Sequence, residues 1–339
     1  MEFTAGGRLE VRITASDLGK RVSVRRLEQT GDDAGRFTDT VGVLTSWDEG
    51  VLAITRRTGE TVRIAESSLV AGKVVPPAPA RRRGPAAGWE ELTRIGARAW
   101  PPVESAPLGE WTLRASGGFT RRANSALALG SPGVGLDQAL ERVRAWYAER
   151  GLPGYVQLAT GAEGTQEARC LDLERLGWRR EVSAEVRIGA LARVGDLAAP
   201  GVERVRVERS FGEGWLARYQ RSRTPRPEVR RVLGGGPSVW FATVPDEEAP
   251  GGVPAAIGRC VVDGRWAGFM AVEVAPERRR EGLATAVMAA LARRALDEGA
   301  SAAWLQVETA NEGAHALYAG MGFAVHHHYH HFRSPGSGT

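Results

Sequence analysis

Trp266-Ala267-Gly268-Phe269-Met270-Ala271-Val272-Glu273-Val274-Ala275-Pro276-Glu277-Arg278-Arg279-Arg280-Glu281-Gly282-Leu283-Ala284 is the stretch on which the fold turns. Its first part, Trp266 to Val274, has the apolar, β-branched make-up of a strand, and Ala275-Pro276 ends it. Thr285 to Glu298 then carries apolar residues at Val287, Met288, Leu291, Ala292, Ala295 and Leu296, the spacing of a helix, with Gly299 placed to stop it. A strand, a basic loop containing glycine and a helix N-terminus make an anion site, because free backbone amides and the positive end of the helix dipole converge on one ligand. Gly282 and Ala284 are small where the backbone must approach that ligand closely. Taken alone, the loop also reads as a surface turn carrying three arginines.

Downstream, Ala303 to Glu308 reads as a second strand. Asn311-Glu312-Gly313-Ala314-His315-Ala316-Leu317-Tyr318 follows and leads to Gly322-Phe323. Asn311 suits a helix N-cap, Ala314 and Leu317 share a helix face, and Gly322 suits the exit. Together the two segments resemble the GNAT superfamily of N-acetyltransferases. Arg279-x-x-Gly282-x-Ala284 after Val274-x-Pro276 matches one signature. Asn311-x-x-Ala314-x-x-Leu317-Tyr318-x-x-x-Gly322-Phe323 fills every specified position of the other.

The resemblance implies an α/β (α+β) GNAT fold and an N-acetyltransferase. Acetyl-CoA is the implied co-substrate, and a primary amine attacks it directly in a ternary complex. Val272, Val274, Arg279, Arg280, Glu281, Gly282, Leu283, Ala284 and Asn311 are the implied cofactor-binding residues. In that scheme the loop amides hold the pyrophosphate, and strand amides from Val272 to Val274 polarise the thioester carbonyl. Tyr318 is the implied proton donor to the departing thiolate, although a core tyrosine with a satisfied hydroxyl would look the same in sequence. Glu273 is the first candidate for the general base and Glu308 the second, and each is compatible with a plain surface carboxylate.

Residues 88–200 repeat this order in weakened form, which predicts tandem GNAT units with mixed central sheets. Trp89 to Ala99 reads as a helix, Trp111 to Arg114 and Phe119 to Leu129 as strands, and Leu136 to Arg150 as a helix. Tyr155 to Leu158 is a further strand, and Glu167 to Leu176 a helix ending in Gly177-Trp178. The basic loop is replaced by Gly130-Ser131-Pro132-Gly133-Val134-Gly135, and Leu173 stands where Tyr318 does. This copy is therefore read as having lost the cofactor and as walling the acceptor groove of the active copy, residues 201–333. Arg121, Arg122, Asn124 and Ser125 are candidate acceptor contacts; an interface strand is the plain alternative.

Residues 1–75 show short apolar strands separated by turn signals, about five in all, and resemble the SH3-like barrels that precede acetyltransferase domains in some actinobacterial proteins. Residues 76–87, rich in proline and arginine, read as a linker, and 334–339 as a flexible tail. The chain has 339 residues and a formal charge of +5, but the charge divides as 0, +3 and +2 over 1–75, 76–200 and 201–339. No segment carries the basic excess of a nucleic-acid binder, so nucleic acid is not expected as a partner. The expected partner is an amine-bearing small molecule or a protein or peptide acceptor. Cys170 and Cys260 are too few for a disulfide scaffold or zinc site, and nothing activates Cys260 as a nucleophile. No apolar run is long enough to cross a membrane, so a cytoplasmic protein is expected.

Five of the six histidines crowd into His326-His327-His328-Tyr329-His330-His331. In a strand, His326, His328 and His330 fall on one face and His327, Tyr329 and His331 on the other. Such neighbours seldom converge on a metal, and none is expected here. A histidine relaying protons to Tyr318 is one possible use. A protein that senses acyl-CoA without catalysis, with the barrel binding a partner, is the alternative function.

Overall fold

The structure, a computed structural model, describes residues 10–28, 36–75, 85–220, 226–246, 249 and 252–336. Most of the linker 76–87, the acidic pair Glu247-Glu248 and the last three residues of the tail lie outside these. Packing divides the described residues into two compact units, one within 1–80 and 158–179, the other within 81–157 and 180–339. This grouping cuts across the repeat order, because residues 158–179 of the first copy group with the N-terminal strands.

Five strands open the chain: β1 (Arg21–Leu27), β2 (Phe37–Asp48), β3 (Val51–Thr55), β4 (Thr61–Ala65) and β5 (Leu69–Val74). They form the small all-β module, an antiparallel sheet in the order β4-β3-β2-β1-β5. The long strand β2 shifts register between Leu44 and Ser46, and such a bulge bends a strand. Val22, Val24, Leu44, Leu52, Ile54 and Ile64 bury together inside it.

Then follow α1 (Trp89–Ala99), β6 (Glu104–Leu108), β7 (Trp111–Ala115), β8 (Ala126–Leu127), α2 (Leu136–Ala148), β9 (Tyr155–Thr160), α3 (Glu167–Arg175), β10 (Arg179–Ala190) and the short α4 (Leu191–Gly195). The second copy runs β11 (Arg206–Glu208), α5 (Glu213–Arg218), α6 (Pro227–Gly234), β12 (Ser238–Val244), β13 (Ala256–Asp263), β14 (Trp266–Val274), α7 (Leu283–Asp297), β15 (Ala302–Glu308), α8 (Glu312–Gly320) and β16 (Ala324–Arg333). Each copy contains a parallel strand pair joined by a long helix, β8-α2-β9 and β14-α7-β15, then a short helix and a last strand. Gly177 (φ +77°) and Gly322 (φ +93°) occupy equivalent left-handed exits from those short helices. In the first unit, α3 packs on β2, with Arg175 donating to Asp48 at 3.2 Å.

The two copies share one mixed sheet of eleven strands, ordered β11-β12-β13-β14-β15-β10-β16-β9-β8-β7-β6. Their last strands are exchanged. β10, from the first copy, lies against β15, with Ala184 opposite Glu308 and Ala190 opposite Ala302, and β16 is the neighbour of β9. The histidine strand is thus last in sequence but interior in the sheet, so His327, His328, His330 and His331 are all buried.

Alternation along β15 sets the two faces. Ala303, Leu305 and Val307 join Val287, Met288 and Leu291 of α7 in one core. Ala302 and Trp304 join Leu92 of α1, Trp215 of α5 and Leu233 of α6 in the other. Each such large apolar side chain contributes roughly 1.5–3 kcal/mol. Trp304 covers Gly268 so closely that a Cβ there would meet its ring at 2.4 Å.

One expected element differs. Phe119 to Leu129 is not a strand but a loop with a short 3-10 turn, Arg121–Ala123, followed by the two-residue β8. The Asn124 side chain causes this: its Oδ1 accepts from the amides of Ser116 and Gly118, and its Nδ2 donates to the carbonyls of Phe119 and Thr120. An Asn that satisfies neighbouring backbone in this way competes with a sheet ladder. Among the described residues, no helix is long and apolar enough to cross a membrane.

Candidate active site

β14 and β15 pair in parallel from Trp266 and Ala302 to Phe269 and Leu305, and there the ladder ends. Beyond it, Met270–Val274 and Gln306–Glu308 border a gap. On its other edge, β14 pairs Met270 with Arg259 and Glu273 with Ile257, so Ala271 and Val272 together oppose Gly258. This bulge holds Ala271 at φ +52°, a conformation that costs a non-glycine residue about 1–2 kcal/mol. Bulges re-aim backbone groups, and this one lies beside the gap. Val272 and Val274 are half-buried against the core that contains α7. Glu273 points the other way, and its Oε2 accepts the amide of Gln220 at 2.9 Å.

The loop after β14 ends at Gly282, the N-cap of α7, in the left-handed conformation (φ +79°) and without a side-chain cap. Arg280 is left-handed as well, at φ +69°. The first amides of a 15-residue helix are therefore left without a side-chain acceptor behind a glycine, which fits the pyrophosphate of acetyl-CoA. Arg278 is committed to Glu281 at 2.9 Å and Asp246 at 3.2 Å. These ion pairs brace the loop, while Arg279 and Arg280 remain exposed. Glu281, its carboxylate on Arg278, is left its backbone amide to offer a ligand; Leu283 and Ala284 open the helix.

On α8, Asn311 Oδ1 accepts the amide of Ala314 at 3.2 Å and so caps the helix as expected. Tyr318 is half-buried against the same core as Val272 and Val274, edge-on to Phe323 at 6.0 Å between ring centroids. Burial pushes its pKa up to about 12, which keeps the hydroxyl protonated at neutral pH. Among the described residues no histidine hydrogen-bonds to Tyr318. His315, on the same helix, instead meets Arg187 at 2.8 Å and Glu185 at 3.2 Å. Cys260 is buried, and burial raises its thiol pKa, so it is not poised as a nucleophile.

The first copy keeps only part of this arrangement: α2 also starts behind a glycine without a side-chain cap, but Gly135 is at φ −57° and not left-handed. Glu110 Oε2 accepts the amide of Ser131 at 2.6 Å, so the protein's own carboxylate occupies the loop before α2. Leu173, in the position of Tyr318, is fully buried.

Of the four candidate acceptor contacts, Asn124 and Ser125 have structural work: Asn124 builds the loop, and Ser125 accepts from the buried Arg114 through Oγ at 2.8 Å and its carbonyl at 2.9 Å. Arg121, Arg122 and Asn124 line a cavity of about 540 Å³, along with Tyr155, Glu308, Tyr329 and His331. Glu308 alternates with Trp304, so it lies on the face of the sheet opposite α7, as Glu273 does. Tyr155, Tyr329 and His331 escaped the sequence reading. Alternation put Tyr329 and His331 on one face, but nothing local says which strand their own strand will adjoin.

Residues 89–332 match the family described as "Probable histone acetyltransferase Rv0428c C-terminal". The "Probable histone acetyltransferase Rv0428c" of Mycobacterium tuberculosis is 28% identical over 320 residues, covering 92% of this chain and 93% of that protein. The "Uncharacterized N-acetyltransferase YobR" of Bacillus subtilis is 26% identical over 248 residues, 70% of this chain and 96% of its own. Among solved structures, a GCN5-related N-acetyltransferase from Kribbella flavida superposes with a TM-score of 0.54 at 18% identity, covering 74% of this chain and 98% of that one. A tandem GNAT protein from the clavulanic acid biosynthesis pathway gives 0.52 at 13% identity, over 77% and 92%. With the paired copies, the gap and bulge beside β14 and the uncapped helix after it, the chain belongs to this Rv0428c C-terminal family of GNAT-fold acetyltransferases.

Proposed function

We propose that the second copy transfers an acetyl group from acetyl-CoA to a primary amine. The observation that carries this is the asymmetry between the copies: the second has a left-handed Gly282 before its helix and the half-buried Tyr318, where the first has Gly135 at φ −57°, Glu110 on the loop amide of Ser131, and the buried Leu173. When bound, acetyl-CoA supplies a thioester: an N–C bond forms, the C–S bond breaks, the amine loses a proton and the departing sulfur gains one. The amides of Leu283 and Ala284, behind Gly282, hold the pyrophosphate, with Arg279 and Arg280 adding charge. Val272 and Val274 frame the gap, and the bulge at Ala271 directs strand amides to where oxygen charge develops. Tyr318 holds its proton ready for the sulfur. Glu273 and Glu308 lie on the opposite face, where an amine can approach, and either can take the ammonium proton directly or through a water.

The test is a panel of amines with acetyl-CoA, following release of free thiol. Protein lysines belong on it, since one relative is named for histones. Turnover of at least one amine is expected; no turnover, with no heat of acetyl-CoA binding by calorimetry, would overturn the reading. Binding without any transfer would favour an acyl-CoA sensor.

A further inference from the structure

The cavity on the face opposite α7 has a chemistry that narrows the acceptor. Its wall from the first copy is cationic. Arg122 lies over the Trp100 ring, 4.6 Å from its centroid, and donates to Gln306 Oε1 at 2.8 Å, one of the five donors a guanidinium offers. Arg121 is paired with Glu181, and Arg114 is buried nearby against Ser125 and Gln157. His331 is 1% exposed and lines the cavity, yet neither of its ring nitrogens has a hydrogen-bond partner among the described residues. Burial, with Arg114, Arg121 and Arg122 adding their charge, holds that imidazole neutral, so it presents one donor and one acceptor. A buried polar group left unpaired costs about 1–3 kcal/mol, a cost that a ligand removes by pairing with it.

Glu308 lines the same cavity. Gln306, the partner of Arg122, is two residues before Glu308 on the same face of β15, a step of roughly 7 Å. The lining also includes the apolar surfaces of Leu152, Pro153 and Val182 and the rings of Tyr155 and Tyr329. A cation and a carboxylate lining one cavity, with an unpaired imidazole and an apolar wall, suit a small zwitterion.

We infer that the cavity binds the acceptor, and that the acceptor is an amino acid or a close analogue with an apolar side chain, its carboxylate on Arg122 and His331 and its ammonium on Glu308. This rests on the acetyl-transfer reading for the reaction but not for the binding. A polycationic peptide tail, by contrast, would meet Arg122 and the Glu181-paired Arg121 at this wall.

The experiment pairs leucine and phenylalanine with their carboxylate-free counterparts, isopentylamine and phenethylamine. A lysine- and arginine-rich peptide completes the set. Full-length protein is assayed for thiol release with acetyl-CoA and, separately, for amino acid binding by calorimetry in the presence of CoA. At least about tenfold higher kcat/KM for the amino acids is expected, and Arg122→Gln should abolish that preference while leaving the counterpart amines nearly unaffected. Glu308→Gln should weaken binding of both members of each pair. Amino acid binding without turnover would uphold the pocket and sink acetyl transfer. Turnover of the peptide or bare amines alone, no amino acid binding, or a preference that survives Arg122→Gln would overturn the pocket and leave acetyl transfer standing.

Discussion

Tyr318 and Gly282 show how much chemistry one side chain, or the lack of one, can carry. Tyr318 has its pKa raised to about 12 by burial, so it should donate its proton throughout the neutral and mildly alkaline range. Tyr318→Phe should lower kcat by about 100-fold, in the usual range for loss of a general acid, with little change in acetyl-CoA affinity. Unchanged turnover would remove it from the mechanism. Gly282 has the complementary role. A valine there would have to adopt φ +79°, where a β-branched residue is strained, and the helix start would shift. Acetyl-CoA binding should weaken about tenfold or more in Gly282→Val, readable by calorimetry even if turnover is lost. The placement of both residues was legible in the sequence because it is local: a few neighbours along the chain fix a helix cap, a left-handed glycine and a tyrosine on the next helix. The roles of Asn124 and Ser125 were not, since each depends on which backbone or buried cation folds beside it.

At the scale of the element, β16 has the most unusual consequence. Three of its histidines, His327, His330 and His331, are held neutral by burial first and by neighbouring cationic or histidine groups second. His327 is depressed to about 3 from an ordinary 6.5, and His330 and His331 are also well below that value. The unfolded chain therefore binds more protons than the folded one below about pH 6.5, so their stabilising effect is complete above that pH and declines as the solution is acidified. Each group adds a slope of about 1.4 kcal/mol per pH unit, and three would add about 4 kcal/mol per unit between pH 6 and 5, before carboxylates begin to titrate. Urea midpoints measured from pH 7.5 to 5 should fall accordingly, and less steeply in His331→Asn. A flat profile would mean these rings can take up protons in the folded state. The sequence reading had the strand and its alternation right, but in the sheet order this last strand has neighbours on both sides, and that is what buries it.

Across the whole molecule the governing fact is the exchange of last strands. Residues 201–333 read as a domain in sequence, yet their sheet is interrupted: β10 lies between β15 and β16, and β16 borders β9. Expressed alone, 201–333 would expose the edges of β15 and β16 and the apolar face that α1 covers. It should be aggregated or molten by circular dichroism and proton NMR, whereas a fragment that is folded and binds acetyl-CoA would show the exchange to be dispensable. The buried Arg259 makes the same point: it donates to the carbonyl of Ala99, at the end of α1, and to that of Leu233 in α6, tying the two copies at one guanidinium.

By itself, the sequence determined the two copies, the glycine that starts α7, the capped helix that carries Tyr318, and the leucine that stands in its place in the first copy. Each of these rests on residues close together in the chain, where spacing alone places a side chain on a face or a glycine at a cap. Tertiary structure decided the rest: a single sheet instead of two, exchanged last strands, a buried histidine strand and a cavity that joins Arg122 to Glu308. Those features depend on which distant segments become neighbours, and strand order is set by the packing of whole faces, which no local pattern encodes.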